Sequence, residues 1–300
     1  MGNKSNLRIC FLWFFDKAPQ VYDNWRDGLR SAIELIGKKH KVNWVIGKEY
    51  PEDVYDVILF WDDSNSAFFD KIDDYHCKKG LFLTTDPQNF DNLRKLDVVY
   101  CESQPVYDAV RAQGIHAVKA FGTDTDFFRP SNCKCTCHEG YLSTNQPSGD
   151  HLGECYKNCN GKKDIEYFYP ATFSPWKRQS ELAPLGDKLL CVGTVQPDGI
   201  SELQKCLRTG VKVEEGYFPA EKILGYYQRS KKVLIPAIHG SERTVLESMA
   251  CEIKPEVNKE NVRAYSYIKE LEESGLEPRE FVVKNYSHKK YAEDILRGLE

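Results

Sequence analysis

Short apolar runs alternate with amphipathic stretches along most of this chain, and that alternation constrains the fold more than any other feature. "LRICFLWFF" (7–15), "KVNWVIG" (41–47), "YDVILFWD" (55–62), "KGLFLTTD" (79–86), "DVVYCES" (97–103) and "IHAVKAF" (115–121) each have the length and apolar continuity of a strand buried on both faces. Between the first two, residues 22–39 place Trp25, Leu29, Ala32, Ile33 and Ile36 at helical spacing. Strands that alternate with helices predict βαβ units and a parallel sheet, so residues 1–121 read as a Rossmann-like domain.

The alternation breaks at "GTDTDFFRP" (122–130), where Gly, Asp and Pro mark a boundary. It resumes with strands expected at 164–172, 187–195, 211–217 and 231–237, and helices at 176–184, 199–208, 220–230 and 242–251. Residues 164–285 therefore read as a second Rossmann-like domain, 122–163 as a hinge with an insertion, and 286–300 as a closing helix. Ala292, Ile295, Leu296 and Leu299 share one apolar face of that helix. The overall expectation is an α/β chain of two Rossmann-like domains facing a cleft, because ligands of open α/β sheets sit outside the carboxyl ends of the strands.

Net charge is −4 and the sequence pI about 6.0, which argues against a protein held on nucleic acid by its overall field. No apolar stretch reaches the roughly 18 residues of a membrane span, and the N-terminus lacks a signal-peptide pattern, so a cytoplasmic chain is expected.

Five of the eleven cysteines fall in the insertion. Cys133, Cys135, Cys137 and His138 form one cluster, and Cys155 and Cys159 another, across a Gly/Ser/Pro-rich span too polar to build a core. Two knuckles of soft ligands are read as a structural zinc site, held by four cysteines or by three and a histidine, with Cys155 and Cys159 the firmest pair. His151 is a further candidate. A disulfide-stapled insert, a loop of thiols and an iron–sulfur cluster are the alternatives. The other six cysteines sit mostly in apolar runs and read as small core residues.

The stretch with the most chemistry is "VLIPAIHGSERTVLESMACEIKPEV" (233–257). A strand ends at Pro236, and the loop His239-Gly240-Ser241-Glu242 leads into a helix carrying Thr244, Val245, Leu246 and Met249. The amides at a helix start favour an anion, and Gly240 permits close approach to the backbone. Glu247, about one and a half turns in, suits a hydroxyl-bearing ligand.

This stretch resembles the donor-site motif of GT-B glycosyltransferases, family 4-like enzymes in particular. Three more segments agree: "FGTDTDFFRP" with the family's hinge, "YFYPATFSPWKRQSEL" with the strand, loop and Lys opening its C-terminal domain, and "VEEGYFPAEKILGYYQRSKKVLIPA" with its strand, nucleotide-base loop and helix. The resemblance implies a nucleotide-sugar-dependent, hexosyltransferase-type enzyme that takes a nucleoside diphosphate sugar as donor and retains anomeric configuration. It implies that Glu247 holds the ribose and Lys177 the diphosphate, with Gly240 and Thr244 at the same helix start. The family's first Glu falls on His239, so His239 or Glu242 takes the sugar. Its Gly-Arg pair is Ala171-Thr172 here, so Arg178 or Arg243 supplies the missing charge.

The N-terminal domain is expected to hold the acceptor, a glycan, a small molecule or modified DNA, with Trp13, Asp16 and Asp86 as candidates at strand ends. The alternatives are a non-catalytic binding module on a glycosyltransferase scaffold and a glycosyltransferase acting on a modified DNA base.

Overall fold

The computed structural model describes residues 6–13, 28–46, 54–61, 69, 71–131 and 163–300. The chain divides into two compact units, Met1–Asp124 with Asn285–Glu300, and Thr125–Lys284.

Unit 1 is built from β1 (Arg8–Trp13), α1 (Gly28–Gly37), β2 (Lys41–Ile46), β3 (Val57–Trp61), β4 (Lys78–Leu83), the short α2 (Phe90–Leu93), β5 (Val98–Cys101), α3 (Gln104–Ala112) and β6 (Ala117–Lys119). The sheet runs β2-β1-β3-β4-β5-β6 with every pairing parallel. Alternate residues of each strand enter opposite cores. Ile9, Phe11, Val57, Leu59, Val98 and Tyr100 pack against α1, while Cys10, Leu12, Ile58, Phe60, Val99 and Cys101 pack against Val106 and Val110 of α3. A sheet covered on both faces is why these strands read as continuous apolar runs.

Unit 2 follows the same plan: β7 (Ile165–Pro170), β8 (Leu189–Gly193), α4 (Ile200–Arg208), β9 (Lys212–Glu215), α5 (Ala220–Arg229), β10 (Ser230–Ile235), α6 (Glu242–Ala250), β11 (Glu256–Val257), α7 (Val262–Ser274) and α8 (Pro278–Asn285). Its parallel sheet runs β11-β10-β7-β8-β9. The chain winds outward from β7 to β9, then crosses back to place β10 on the other side of β7. The strand order therefore reverses between β7 and β10.

The helix expected over 176–184 is not an α-helix. The chain instead makes 3-10 turns over Pro175–Lys177 and Gln179–Lys188, because Arg178 is left-handed (φ 52°) and Pro184 and Gly186 (φ 57°) interrupt the second segment. The strand β11 and the helices α7 and α8 have no counterpart among the expected elements.

The last helix, α9 (His288–Gly298), belongs to unit 1. Its N-cap Ser287 accepts from the Lys290 amide, and Tyr291, Ala292, Ile295 and Leu299 join the core beneath α1. The buried Tyr100 hydroxyl donates to the Ile295 carbonyl at 2.8 Å. Beside it the segments 123–124 and 286–288 are laced together: the Thr123 amide donates to the Tyr286 carbonyl (2.9 Å) and the His288 amide to the Thr123 carbonyl (2.8 Å). Asp124, buried, accepts from the Ser31 hydroxyl at 2.8 Å and lies 3.5 Å from His288 Nδ1. At the start of α1, a Cβ on Gly28 would stand 1.9 Å from the Gly122 carbonyl oxygen, so only glycine lets the helix reach this segment.

Cys10, Cys101, Cys191, Cys206 and Cys251 are buried and Cys77 half-buried, and desolvation pushes the Cys101 thiol up to about 12. The expectation of small core residues describes them. Among the described residues no helix is long and apolar enough to cross a membrane. Residues 132–162, which hold Cys133, Cys135, Cys137, His138, Cys155 and Cys159, lie outside the described residues. Within those described, no group of three or more His, Cys, Asp or Glu is placed to hold a metal ion.

Candidate functional site

The strand order in unit 2 reverses between β7 and β10, and open α/β sheets bind ligands in the crevice at the carboxyl ends of strands at such a point. Residues 171–178 follow β7 and residues 236–241 follow β10. Lys177, His239, Gly240, Ser241 and the start of α6 all come from these two loops.

Each loop is held by the backbone of its neighbours. After β7, the Ala171 amide donates to the Val192 carbonyl (2.9 Å) and the Phe173 amide to Thr194 (2.7 Å). Gln179, fully buried, donates its amide nitrogen to the Thr172 carbonyl at 2.9 Å. After β10, the Ile238 amide donates to the Trp176 carbonyl at 2.9 Å, joining the two loops. Asn258 donates to the Pro236 carbonyl (3.0 Å) and Asn261 to the Gly240 carbonyl (2.8 Å), while the other end of the Asn261 side chain caps α7.

This bracing supports an unusual backbone. Gly240 (φ 68°) and Ser241 (φ 75°) are consecutive left-handed residues at the entrance to α6. That conformation is costly for serine, and the Asn261 contact helps to hold it. The geometry brings Lys177 against the loop: its ammonium donates to the His239 carbonyl at 3.0 Å and to the Ser241 hydroxyl at 2.9 Å. A Cβ on Gly240 would lie 2.7 Å from Lys177 Nζ, so the ammonium occupies the space that any other residue at 240 would fill.

Lys177 is half-buried, and desolvation lowers its pKa to about 8, with Glu242 opposing the shift and Arg243 reinforcing it. A second cation is thus within electrostatic reach, and both stand near a helix start whose first amides have no intrahelical acceptor. Anionic oxygens placed there would be favoured by all three groups.

The remaining candidates divide clearly. Glu247 is 5 % exposed. Its Oε2 accepts from the Tyr227 hydroxyl at 3.0 Å and its Oε1 lies 3.2 Å from Arg243 Nε. Glu242 is equally buried and forms an ion pair with Arg263 at 3.0 Å, both side chains less than one-tenth exposed. Arg178 pairs with Glu260 (2.9 Å) and Glu181 (3.4 Å). Thr244 donates to the Pro170 carbonyl at 3.3 Å, tying α6 to the end of β7. The His239 side chain is exposed. In unit 1, the Asp86 carbonyl accepts from Gln88 at 2.9 Å. Asp16 and the Trp13 side chain lie outside what the structure describes.

Sequence reasoning missed Asn258, Asn261 and Tyr227, and named Ser241 only as a member of the loop before α6. Asn261 carried a readable signal, an Asn three residues before Ala264 at the head of a helix. Tyr227 carried none beyond helical spacing.

No family model matches the chain, and no curated protein matches it by sequence. Solved structures do. The trehalose-6-phosphate synthase of E. coli bound with UDP-2-fluoro glucose aligns over 97% of this chain and 98% of its own, with TM-score 0.62 and 10% identity. AviGT4, a glycosyltransferase involved in avilamycin A biosynthesis, aligns over 97% and 96%, with TM-score 0.56 and 12% identity. S. aureus MnaA in complex with UDP aligns over 98% and 96%, with TM-score 0.53 and 11% identity. At such identities the likeness is one of fold. The chain shares with them an α/β fold built on parallel sheets, which is the coarser part of the sequence expectation.

Proposed function

We propose that the chain is a glycosyltransferase and that unit 2 binds its nucleoside diphosphate sugar donor. The observation that carries this reading is the Lys177 ammonium, fixed by the His239 carbonyl and the Ser241 hydroxyl at the start of α6, in the crevice where the strand order reverses. Two of the similar solved structures hold UDP or a UDP-sugar, which supports a nucleotide donor.

In this reading Lys177, Arg243 and the α6 amides hold the diphosphate, Glu247 the ribose and His239 the sugar. Glu242 is committed to Arg263, so His239 is the stronger candidate for the sugar. Arg178 and Arg243 each face a carboxylate, Glu260 and Glu247, and Arg243 is preferred because it stands on α6 within electrostatic reach of Lys177. The bond from the anomeric carbon to the diphosphate oxygen breaks, and one to the acceptor oxygen forms. The acceptor's proton leaves with the diphosphate or a base, and the cations stabilise the negative charge of the leaving group. Retention of configuration, the hexosyl class of donor and membership of family 4 follow from the sequence resemblance. The acceptor side is assigned to unit 1 on the same ground.

Lys177→Ala and Glu247→Ala test the reading. Both should abolish donor turnover, and retention of wild-type turnover by either would remove its basis. One observation favours a binding module instead: His239 and Ala171-Thr172 stand where the resembling family has Glu and Gly-Arg. Slow hydrolysis of the donor by the wild-type protein separates the two. A structural zinc on residues 133–159 is a separate proposal resting on ligand spacing, and elemental analysis of the purified protein tests it.

A further inference from the structure

Glu247 has a long side chain whose terminal torsion is broad and roughly two-fold, so nothing in a lone glutamate fixes the plane of its carboxylate. Here the plane is fixed from outside. Tyr227 is fully buried on α5, its ring edge-to-face with Phe128 (centroids 6.0 Å) and Phe168 (5.3 Å). The phenol has almost no rotational freedom, and its hydroxyl donates to Glu247 Oε2 at 3.0 Å. Burial and the nearby Glu247 charge raise the Tyr227 pKa well above its ordinary value, which keeps the phenol a donor across the working pH range. Arg243 Nε holds the other oxygen from one turn earlier on α6.

A vicinal diol is recognised by a carboxylate when both oxygens accept, one from each hydroxyl, and that requires a set plane. We propose that Tyr227 is a positioning residue that sets the Glu247 carboxylate for the ribose diol, and so makes this site selective for ribonucleotides. The proposal rests on the reading that Glu247 holds the ribose. It gives α5 a role in recognition, since this helix leads from the loop after β9 into β10 and carries Tyr227 in its last turn. A carboxylate oxygen accepts more than one hydrogen bond, so Tyr227 and a ribose hydroxyl share Oε2 without competing.

The test is calorimetric. UDP, ADP, GDP and CDP are titrated into the wild-type protein, and the best binder is compared with its 2′,3′-dideoxy analogue. The same pair is then titrated into Tyr227→Phe, Glu247→Ala and the double variant. The proposal expects Tyr227→Phe to weaken the ribonucleotide by roughly tenfold, to leave the dideoxy analogue unchanged, and to add nothing in the Glu247→Ala background. Equal weakening of both analogues makes Tyr227 a packing residue and overturns the proposal while leaving the underlying reading intact. Unchanged ribonucleotide affinity overturns it as well. A wild-type protein that binds no nucleoside diphosphate, or binds ribo and dideoxy forms equally, overturns both. Should Tyr227→Phe melt below the assay temperature, the same titrations are run at a lower temperature at which it stays folded, with the same expected and contradicting results.

Discussion

The ammonium of Lys177 lies 2.9 Å from the hydroxyl of Ser241, a residue held in the left-handed region at the first step of α6. The loops after β7 and β10 are thereby tied at one charged point. Lys177 is short of solvent and near Arg243, and the Glu242 charge that favours its ammonium is already engaged with Arg263. An anion in the crevice relieves that electrostatic stress, which is why the arrangement suits a diphosphate.

The depressed Lys177 pKa gives the first prediction. With a folded-state value of about 8 against an ordinary 10.5, the lysine loses its charge in the uncomplexed protein as pH rises through 8. Affinity for a nucleoside diphosphate should therefore fall above pH 8, by up to about tenfold per unit, because binding must restore the proton. Lys177→Arg, which stays charged, should flatten that fall. For stability the sign is the reverse. Between the folded and ordinary values the unfolded chain binds more protons, so this group adds stability as pH rises through that window. Titrations and urea melts at a series of pH values check both.

Gly240→Ala should act on fold and site together. The left-handed backbone at φ 68° penalises any side chain by about 1 kcal/mol. The added Cβ at 2.7 Å from Nζ also displaces the ammonium. A modest loss in a urea melt, accompanied by a larger loss of nucleotide affinity, is the expected pattern. An unchanged affinity would show that Lys177 is not where the anion binds.

The Glu242–Arg263 pair is a matter of stability. Both side chains are nearly excluded from water, so removing one partner leaves a buried charge unmatched. Glu242→Ala or Arg263→Ala should each destabilise the chain by roughly 3–5 kcal/mol, and the double variant by less than the sum. Additive losses in a double-mutant cycle would mean that the pair does not interact.

Asp124 makes a comparable prediction for unit 1. It accepts from Ser31 on α1 and faces His288 at the head of α9, so it joins the segment after β6 to two helices. Asp124→Ala strips a buried hydroxyl of its acceptor and should destabilise by roughly 2 kcal/mol. Hydrogen exchange should then rise first at the Thr123 and His288 amides. Protection equal to wild type at those amides would contradict this role for Asp124.

Much of the fold was legible because both sheets are parallel and covered on both faces. Buried strands such as Val57–Trp61 and Leu189–Gly193 read as uninterrupted apolar runs, and the face of α9 carrying Ala292, Ile295 and Leu299 is the one that packs. The strand β11 was too short to show a pattern, and α7 is lined by Tyr267, Ile268 and Leu271 amid charged residues that mask its spacing. Residues 176–184, which lie within these turns, read as helical because periodicity does not see a left-handed Arg178. At the site, the glycine, the lysine and the helix start were visible as chemistry along the chain. Which charges are already engaged was not, because Glu242 finds Arg263 twenty-one positions away and Glu247 finds Tyr227 twenty away. Pairings across that distance are set by packing, which a linear pattern does not encode.

The most direct test of the central claim is a calorimetric titration of nucleoside diphosphates into the wild-type protein and Lys177→Ala at pH 7. One nucleotide should bind the wild type, and its affinity should fall at least roughly tenfold in the variant, as expected when a charge-assisted hydrogen bond is removed from an anion site. Equal affinity in the two proteins, or no binding to the wild type by any of the nucleotides, would contradict the claim.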